Sequence, residues 1–169
     1  QVALSTGQDV KVPEIDGMSQ RGGSVVTQVR FGDKVYSPII EPGTADMIMA
    51  FEKLEALRWL HWLKEDGQII VNDQKMNPMP VVTGVAKYPN DVLEQIRSKC
   101  KNVLIFDALH AARDCGSDKA ANVVLLGALS KYMNIDRETW ITVITRLVPQ
   151  KFLQVNLDAF AAGEALTEK

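Results

Sequence analysis

The sequence predicts an α/β domain: a mixed, mainly parallel sheet with helices on its faces. Three observations lead there. Short apolar runs at 45–51, 68–71 and 103–106 have the length of buried strands. Stretches whose apolar residues recur at helical spacing lie between and after them. Near the amino end an alternating segment reads as a hairpin, which makes the sheet mixed rather than wholly parallel.

The first strand covers 9–15, with Val10, Val12 and Ile15 on one face. Pro13 has no amide to donate, so this strand belongs at an edge. The loop 16–23 follows, reading Asp-Gly-Met-Ser-Gln-Arg-Gly-Gly. Over 24–31, Val25, Thr27, Val29 and Phe31 alternate with Ser24, Val26, Gln28 and Arg30, and Gly32-Asp33 turns that strand toward a partner at 34–37. The run 45–51 is nearly continuous in apolar residues, as for a strand covered on both faces. Glu52 precedes a helix that starts near Lys53 and ends at Asp66-Gly67, with Gly67 as a left-handed cap. Leu54, Leu57, Leu60 and Leu63 form its buried stripe, and Trp59 and Trp62 flank it. The strand 68–71 ends at Asn72-Asp73.

Residues 76–89 hold three of the seven prolines, Pro78, Pro80 and Pro89, and read as irregular chain with one short strand at 81–83. Asn90 caps a helix over 91–100, acidic early and basic late as the helix dipole prefers. The strand 103–106 ends at Asp107. The remainder reads as helix. Ser117 or Asp118 caps 119–133, where Val123, Leu126, Leu129 and Met133 align, and Asp136 caps a helix to 147. Pro149 opens a last helix through 162 that Gly163 ends. No repeat, low-complexity tract or linker interrupts 1–169, so the chain reads as a single domain.

Composition narrows the function classes. With 19 basic and 21 acidic residues the net charge is −2, and there is no basic run of the kind a nucleic-acid binder carries. A hydrophobic share of 46% is enough for a core and excludes disorder as a class. No stretch approaches the roughly 18 apolar residues of a membrane span, and the start does not read as a signal peptide. The two cysteines, Cys100 and Cys115, form no Cys-x-x-Cys pair and read as reduced thiols of a cytoplasmic protein. An iron–sulfur cluster wants about four thiolates, so this chain alone cannot hold one. A zinc site from Cys100, Cys115, His61 and His110 has no ligand spacing to recommend it.

The most informative segment is 17–24, Gly-Met-Ser-Gln-Arg-Gly-Gly-Ser. Its glycines permit close approach to a ligand, and serial amides near Arg21 suit a phosphate or carboxylate. The same residues also suit a tight strand-to-strand connection with a solvated arginine. A glycine-rich loop that leads into a strand is neither a dinucleotide fingerprint nor a phosphate-binding P-loop. Polar residues just past the strands, Asp16, Glu52, Asn72 and Asp107, sit where α/β sheets bind ligands, and equally where helix caps and turn formers belong. Glu52 and Glu55 read as an acid/base pair or as a solvated face paired to Arg58. Trp59, Trp62 and Trp140 read as stacking platforms or as packing. No nucleophile–base set is visible, which points to a subunit whose chemistry depends on other chains. A stand-alone α/β module binding a nucleotide or small acid, and an interaction protein without a ligand, are the alternatives.

Several segments carry a resemblance. Residues 17–26 followed by Val29-Arg30-Phe31 resemble the gamma-type domain of 2-oxoacid:ferredoxin oxidoreductases. The Met-Ser-Gln-Arg-Gly-Gly form is most similar to the beta subunits of indolepyruvate ferredoxin oxidoreductases. Tyr36-Ser-Pro-Ile39, Ala45-Asp46, Ala50-Phe51-Glu52, Glu55-Ala56-Leu57, 122–129 and 156–163 agree in order and spacing. The resemblance implies a three-layer sandwich with a mixed, mainly parallel sheet. In that family the fold opens with a strand, a glycine-rich turn and a helix; here Gln1–Thr6 resembles the tail of that helix, so the strand and turn are expected to be missing. It also implies a role in oxidative decarboxylation of indolepyruvate or another arylpyruvate, with coenzyme A as cosubstrate and ferredoxin as electron acceptor. Thiamine diphosphate, magnesium and the iron–sulfur clusters are expected on a larger alpha subunit, and no cofactor, metal or catalytic residue on this chain. Ser19, Arg21, Gly22, Gly23, Ser24 and, with less reason, Glu52 are the residues expected to meet a ligand or the partner. No nucleic-acid or membrane partner is expected.

Overall fold

A computed structural model of the chain describes residues 1–13 and 24–167. Three strands form a wholly parallel sheet in the order β3–β4–β5: β3 is Ala45–Ala50, β4 Leu63–Asn72 and β5 Asn102–Phe106. On one face lie α2, Lys53–Trp59, and α4, Val92–Lys99. On the other lie α5, Ala108–Asp114, α6, Ala121–Ser130, and α8, Leu153–Ala165. These are three layers. Helix α7, Arg137–Leu147, packs on α8 and on the short α1, Val2–Ser5. A single turn, α3, Met79–Val82, stands between β4 and α4. Two short strands, β1 at Asp9–Lys11 and β2 at Arg30–Gly32, pair antiparallel as a separate ribbon.

Strand alternation sorts the core. Ile48, Ile69 and Val103 are register partners and face α2 and α4, as do Ala50, Val71 and Ile105. Met49, Ile70 and Leu104, one residue on, face α5, α6 and α8. Both sides of the sheet are therefore apolar, which is why these strands read as continuous runs rather than alternating ones. β3 is less covered than expected for 45–51: Met47, Ile48 and Met49 are half-buried and Phe51 is exposed, because β3 is an edge strand among the described residues.

Helix α6 is apolar around nearly its whole circumference because it is enclosed between the sheet, α5 and α8. It meets α8 backbone to backbone. A Cβ added at Gly127 would lie 2.0 Å from the Phe160 carbonyl oxygen, and one at Gly163 would lie 1.9 Å from that of Val124. Each glycine thus admits the main chain of the facing helix. Gly163 therefore does not end α8 but lies within it, where close approach outweighs poor helix propensity.

Other expectations also shift. The hairpin from 24–31 to 34–37 does not form. Arg30–Gly32 pairs instead with Asp9–Lys11, while side chains hold 35–40: Asp9 accepts from the Val35 amide at 2.9 Å, Gln28 from Ile40 at 2.8 Å, and Arg30 donates to the Ile39 carbonyl at 2.8 Å. Strand β1 ends before Pro13, which has no amide to continue it; Glu14 and Ile15 lie outside the described residues. Helix α2 stops at Trp59 and passes through a 3-10 turn, Leu60–Trp62, into β4. The leucine spacing of three that reads as a helical stripe is also the 3-10 period. Gly67 is consequently a strand residue; a Cβ there would strike the Leu63 side chain at 2.6 Å and approach the Asp46 carbonyl at 3.1 Å. Residues 81–83 belong to a helical turn rather than a strand, closed by Val82 donating to the Pro78 carbonyl at 3.0 Å. The N-cap of α4 is Asp91 rather than Asn90, and Pro149 caps a 3-10 turn, Gln150–Phe152, that leads into α8. The long helix over 119–133 divides into a 3-10 turn, Asp118–Ala120, capped by Ser117, and α6.

Replacing Gly127 or Gly163 with alanine will force α6 and α8 apart. A loss of about 3 kcal/mol or more is expected in urea unfolding, above the usual overpacking range because the obstacle is backbone.

Candidate functional site

The carboxyl ends of the three parallel strands lie side by side, and their polar residues act as joints. Glu52 is only 5% exposed. Its Oε2 accepts from the Glu55 amide at 2.9 Å, capping α2, while its Oε1 accepts from the Met76 amide at 3.2 Å and from the Tyr88 hydroxyl. Burial first, then the hydrogen bond and charge of Glu52, push the Tyr88 phenol well above its ordinary range. Asn72 is buried too: it donates to the Phe51 carbonyl at 3.1 Å and accepts from the Ala108 amide at 2.9 Å, tying β3 to the start of α5. Asp107 caps α5 through the His110 amide at 2.8 Å and also accepts from Gln74 at 2.8 Å. Of the two uses open to Glu52, Asn72 and Asp107, the structure displays capping and joining; Asp16 lies outside the described residues.

A cavity of about 730 Å³ runs along the outer edge of β3. Met47, Met49, Met76 and Met133 line it, with residues 25–29 opposite and Trp59 and Trp62 at its rim. Its charged lining groups, among the described residues, are Glu52 and Glu55. Ser24 bonds to two of its lining residues: its hydroxyl accepts from the Trp59 indole at 3.0 Å and donates to Glu55, which also pairs with Arg58. The rings of Trp59, His61 and Trp62 form a continuous aromatic cluster, with centroids 5.8 to 6.4 Å apart.

The residues singled out from the sequence divide accordingly. Glu52 lines this cavity and Ser24 bonds to two of its lining residues, whereas Ser19, Arg21, Gly22 and Gly23 lie outside the described residues. Glu52 and Glu55 do not form a free acid/base pair, because one is a helix cap and the other is bound by Arg58 and Ser24. Trp140 is a core residue against Phe160, at 5.8 Å between centroids. His61 faces the Arg58 carbonyl at 3.0 Å, and His110 lies 3.7 Å from Asp114; both are exposed. Cys100 packs with the α2/α4 layer and Cys115 with the opposite layer. Burial raises both thiols, with Asp158 and Asp114 adding to the effect at Cys115, so neither is an activated thiolate. Two thiols on opposite faces do not fit an iron–sulfur cluster, and no group of three or more His, Cys, Asp or Glu converges among the described residues. Nor does an apolar cavity whose described charges are carboxylates fit a diphosphate. Tyr88 and the Met76 amide went unnoticed in the sequence, which carries no local signal that a tyrosine and a loop amide converge on Glu52.

Tyr88→Phe will leave Glu52 short of a donor and lower stability by roughly 1–3 kcal/mol at neutral pH. The phenol is held protonated in the fold, so its contribution is complete below about pH 10, where a free tyrosine titrates, and declines above it. The gap between wild-type and variant melting temperatures should narrow as pH rises past about 10.

Residues 1–166 match the pyruvate ferredoxin/flavodoxin oxidoreductase family. The chain is 40% identical over 168 residues to the indolepyruvate oxidoreductase subunit IorB of Pyrococcus horikoshii, covering 95% of this chain and 82% of that protein. The corresponding subunit of Archaeoglobus fulgidus is 36% identical over 165 residues, with coverage of 95% and 82%. Among solved structures, the gamma subunit of a keto/oxoacid ferredoxin oxidoreductase from Geobacter sulfurreducens superposes with a TM-score of 0.70 at 20% identity, covering 98% of this chain and 84% of that one. The 2-oxoglutarate:ferredoxin oxidoreductase of Magnetococcus marinus superposes with a TM-score of 0.67 at 21% identity over 99% of this chain and 27% of its own. At those identities the structural matches speak for the fold, and the sequence matches over most of both chains speak for descent. This chain belongs to the pyruvate ferredoxin/flavodoxin oxidoreductase family.

Proposed function

We propose that the chain is the small, gamma-type subunit of a 2-oxoacid:ferredoxin oxidoreductase whose substrate is indolepyruvate or a related arylpyruvate, and that all of 1–169 serves as one such domain. The observation that carries this reading is 40% identity to an indolepyruvate oxidoreductase subunit across 95% of the chain. The described residues agree with a dependent subunit: the two thiols, their pKa values raised, lie on opposite faces of the sheet. Thiamine diphosphate, magnesium and the clusters then belong to the larger subunit. Those groups supply carbanion stabilisation and an electron path when bound there.

In the overall reaction the bond between carboxylate and carbonyl carbon breaks and carbon dioxide leaves. The acyl carbon is oxidised by loss of an electron pair, which passes to ferredoxin, and the thiolate sulfur of coenzyme A forms the new carbon–sulfur bond. This chain's share is to bind and orient. Arg21 presents a guanidinium to an anionic group of coenzyme A or of the partner's cofactor pocket, and Ser19, Gly22 and Gly23 supply backbone and hydroxyl donors beside it. Support comes from Ser24, where the described chain resumes: its bonds to Trp59 and Glu55 secure that end of the loop to α2. Glu52, a buried joint, shapes the same rim without touching the reacting atoms. The stand-alone nucleotide-binding alternative gains nothing from the cavity, whose described charges repel phosphate. The complex works in the cytoplasm, free of nucleic acid and membrane. No described helix is long and apolar enough to cross a membrane.

In the reconstituted complex, Arg21→Ala is expected to raise the coenzyme A KM about tenfold or more, or to weaken assembly, while the isolated chain melts as before. Unchanged kinetics together with unchanged assembly would remove the role given to this loop.

A further inference from the structure

Residues 76–88 lead from the carboxyl end of β4 toward α4, and within the turn their main-chain groups largely bond one another. The Val81 and Val82 amides donate to the Pro78 carbonyl at 2.8 and 3.0 Å, Thr83 to Met79 at 2.9 Å, Gly84 to Val81 at 3.2 Å and Ala86 to Pro80 at 2.9 Å. The Thr83 hydroxyl donates to the Met79 carbonyl at 2.9 Å. The apolar side chains mostly face outward. Met76 is 69% exposed, Met79 50%, Val82 64% and Val85 83%, while Val81 and Tyr88 pack with the α2/α4 core. Four large apolar side chains exposed within ten residues make a contiguous stretch rather than scattered single contacts.

Both ends of this ridge are clamped to a single atom. Oε1 of the buried Glu52 accepts from the Met76 amide at 3.2 Å and from the Tyr88 hydroxyl, and the Lys75 ammonium stands 4.7 Å over the Tyr88 ring. The ridge is thus shaped before anything meets it, so that little ordering entropy is lost on docking. Between Gln74 and Asn90 the only charged side chains are Lys75 and Lys87, both exposed.

We propose that Met76, Met79, Val82 and Val85, flanked by Lys75 and Lys87, form the surface that seats this chain in an apolar groove, bordered by carboxylates, on the larger subunit. The proposal rests on the subunit role above. Charge decides among occupants. A second copy meeting this ridge across a two-fold axis would set the lysines against their own kind. An anionic lipid surface calls for a basic cluster of about four or more residues, and two do not make one. An acid-rimmed protein groove suits both the apolar crest and its flanks.

The test co-expresses the chain with the larger subunit and reads the dissociation constant of the purified complex by native mass spectrometry and calorimetry. The double variant Met79→Glu, Val82→Glu is expected to weaken association by about tenfold or more, with the isolated chain melting as the wild type does. Lys87→Glu should weaken it less and flatten its dependence on salt. Wild-type assembly that neither variant disturbs overturns the ridge while sparing the subunit role. Self-association or binding to anionic vesicles that the double variant abolishes, with assembly intact, overturns it as well. A wild-type chain that joins no larger subunit overturns the subunit role and the ridge together.

Discussion

Two helices of this protein touch through their main chains, and the lower layer of the fold depends on that contact. Helix α6 buries its apolar surface only if α8 lies close enough to enclose it, and α8 comes that close only where Gly127 and Gly163 leave room for a facing carbonyl. The fully buried Phe160 belongs to the same crossing, as do Val124 and Ala128. Burying a side chain the size of Phe160 is worth roughly 1.5–3 kcal/mol, and a separation of the helices would forfeit several such terms together. The sheet then inherits a firm floor, because Ile70, Met49 and Leu104 pack down onto this layer.

The opposite end of the architecture is organised by polar joints rather than by apolar area. Glu52, Asn72 and Asp107 stand at the carboxyl ends of β3, β4 and β5, and each satisfies backbone groups that strand ends and helix starts leave open. A buried carboxylate is costly unless its oxygens are occupied, and Glu52 has three donors directed at it. The arrangement gives the Pro-rich segment 76–88 a defined shape where its composition predicts irregular chain. That is how a region with little regular structure comes to present a fixed surface.

Family membership and structure divide the functional question between them. Similarity over nearly the whole chain places it among 2-oxoacid oxidoreductase proteins, and the structure shows how its described polar groups are used. Its thiols lie on opposite faces of the sheet, Glu52 and Asp107 are helix caps, Glu55 is paired with Arg58, and the cavity beside β3 is mostly apolar, with Glu52 and Glu55 as its described charges.

Much of the fold was legible because its strands are continuous apolar runs and several of its helices carry strong caps. The ends of β4 and β5 and the Asp136 cap of α7 needed only local pattern. The site was legible in part: Ser24 and Glu52 were visible as candidates, but not Tyr88, whose meaning lies in a contact across 36 positions. The errors share one cause. A leucine every third residue suits a 3-10 turn as well as an α-helix, an alternating segment can pair with its neighbour or with a distant strand, and a glycine serves as a stop or as a gap for another backbone. Residue order alone determined the class of fold, the Asp136 cap and the count of two cysteines, since these depend on residue type and near neighbours. Only the folded chain decided the partner of β2, the uses of Gly67 and Gly163, and the clamp on the 76–88 loop, because each is settled by groups remote in sequence that packing brings together.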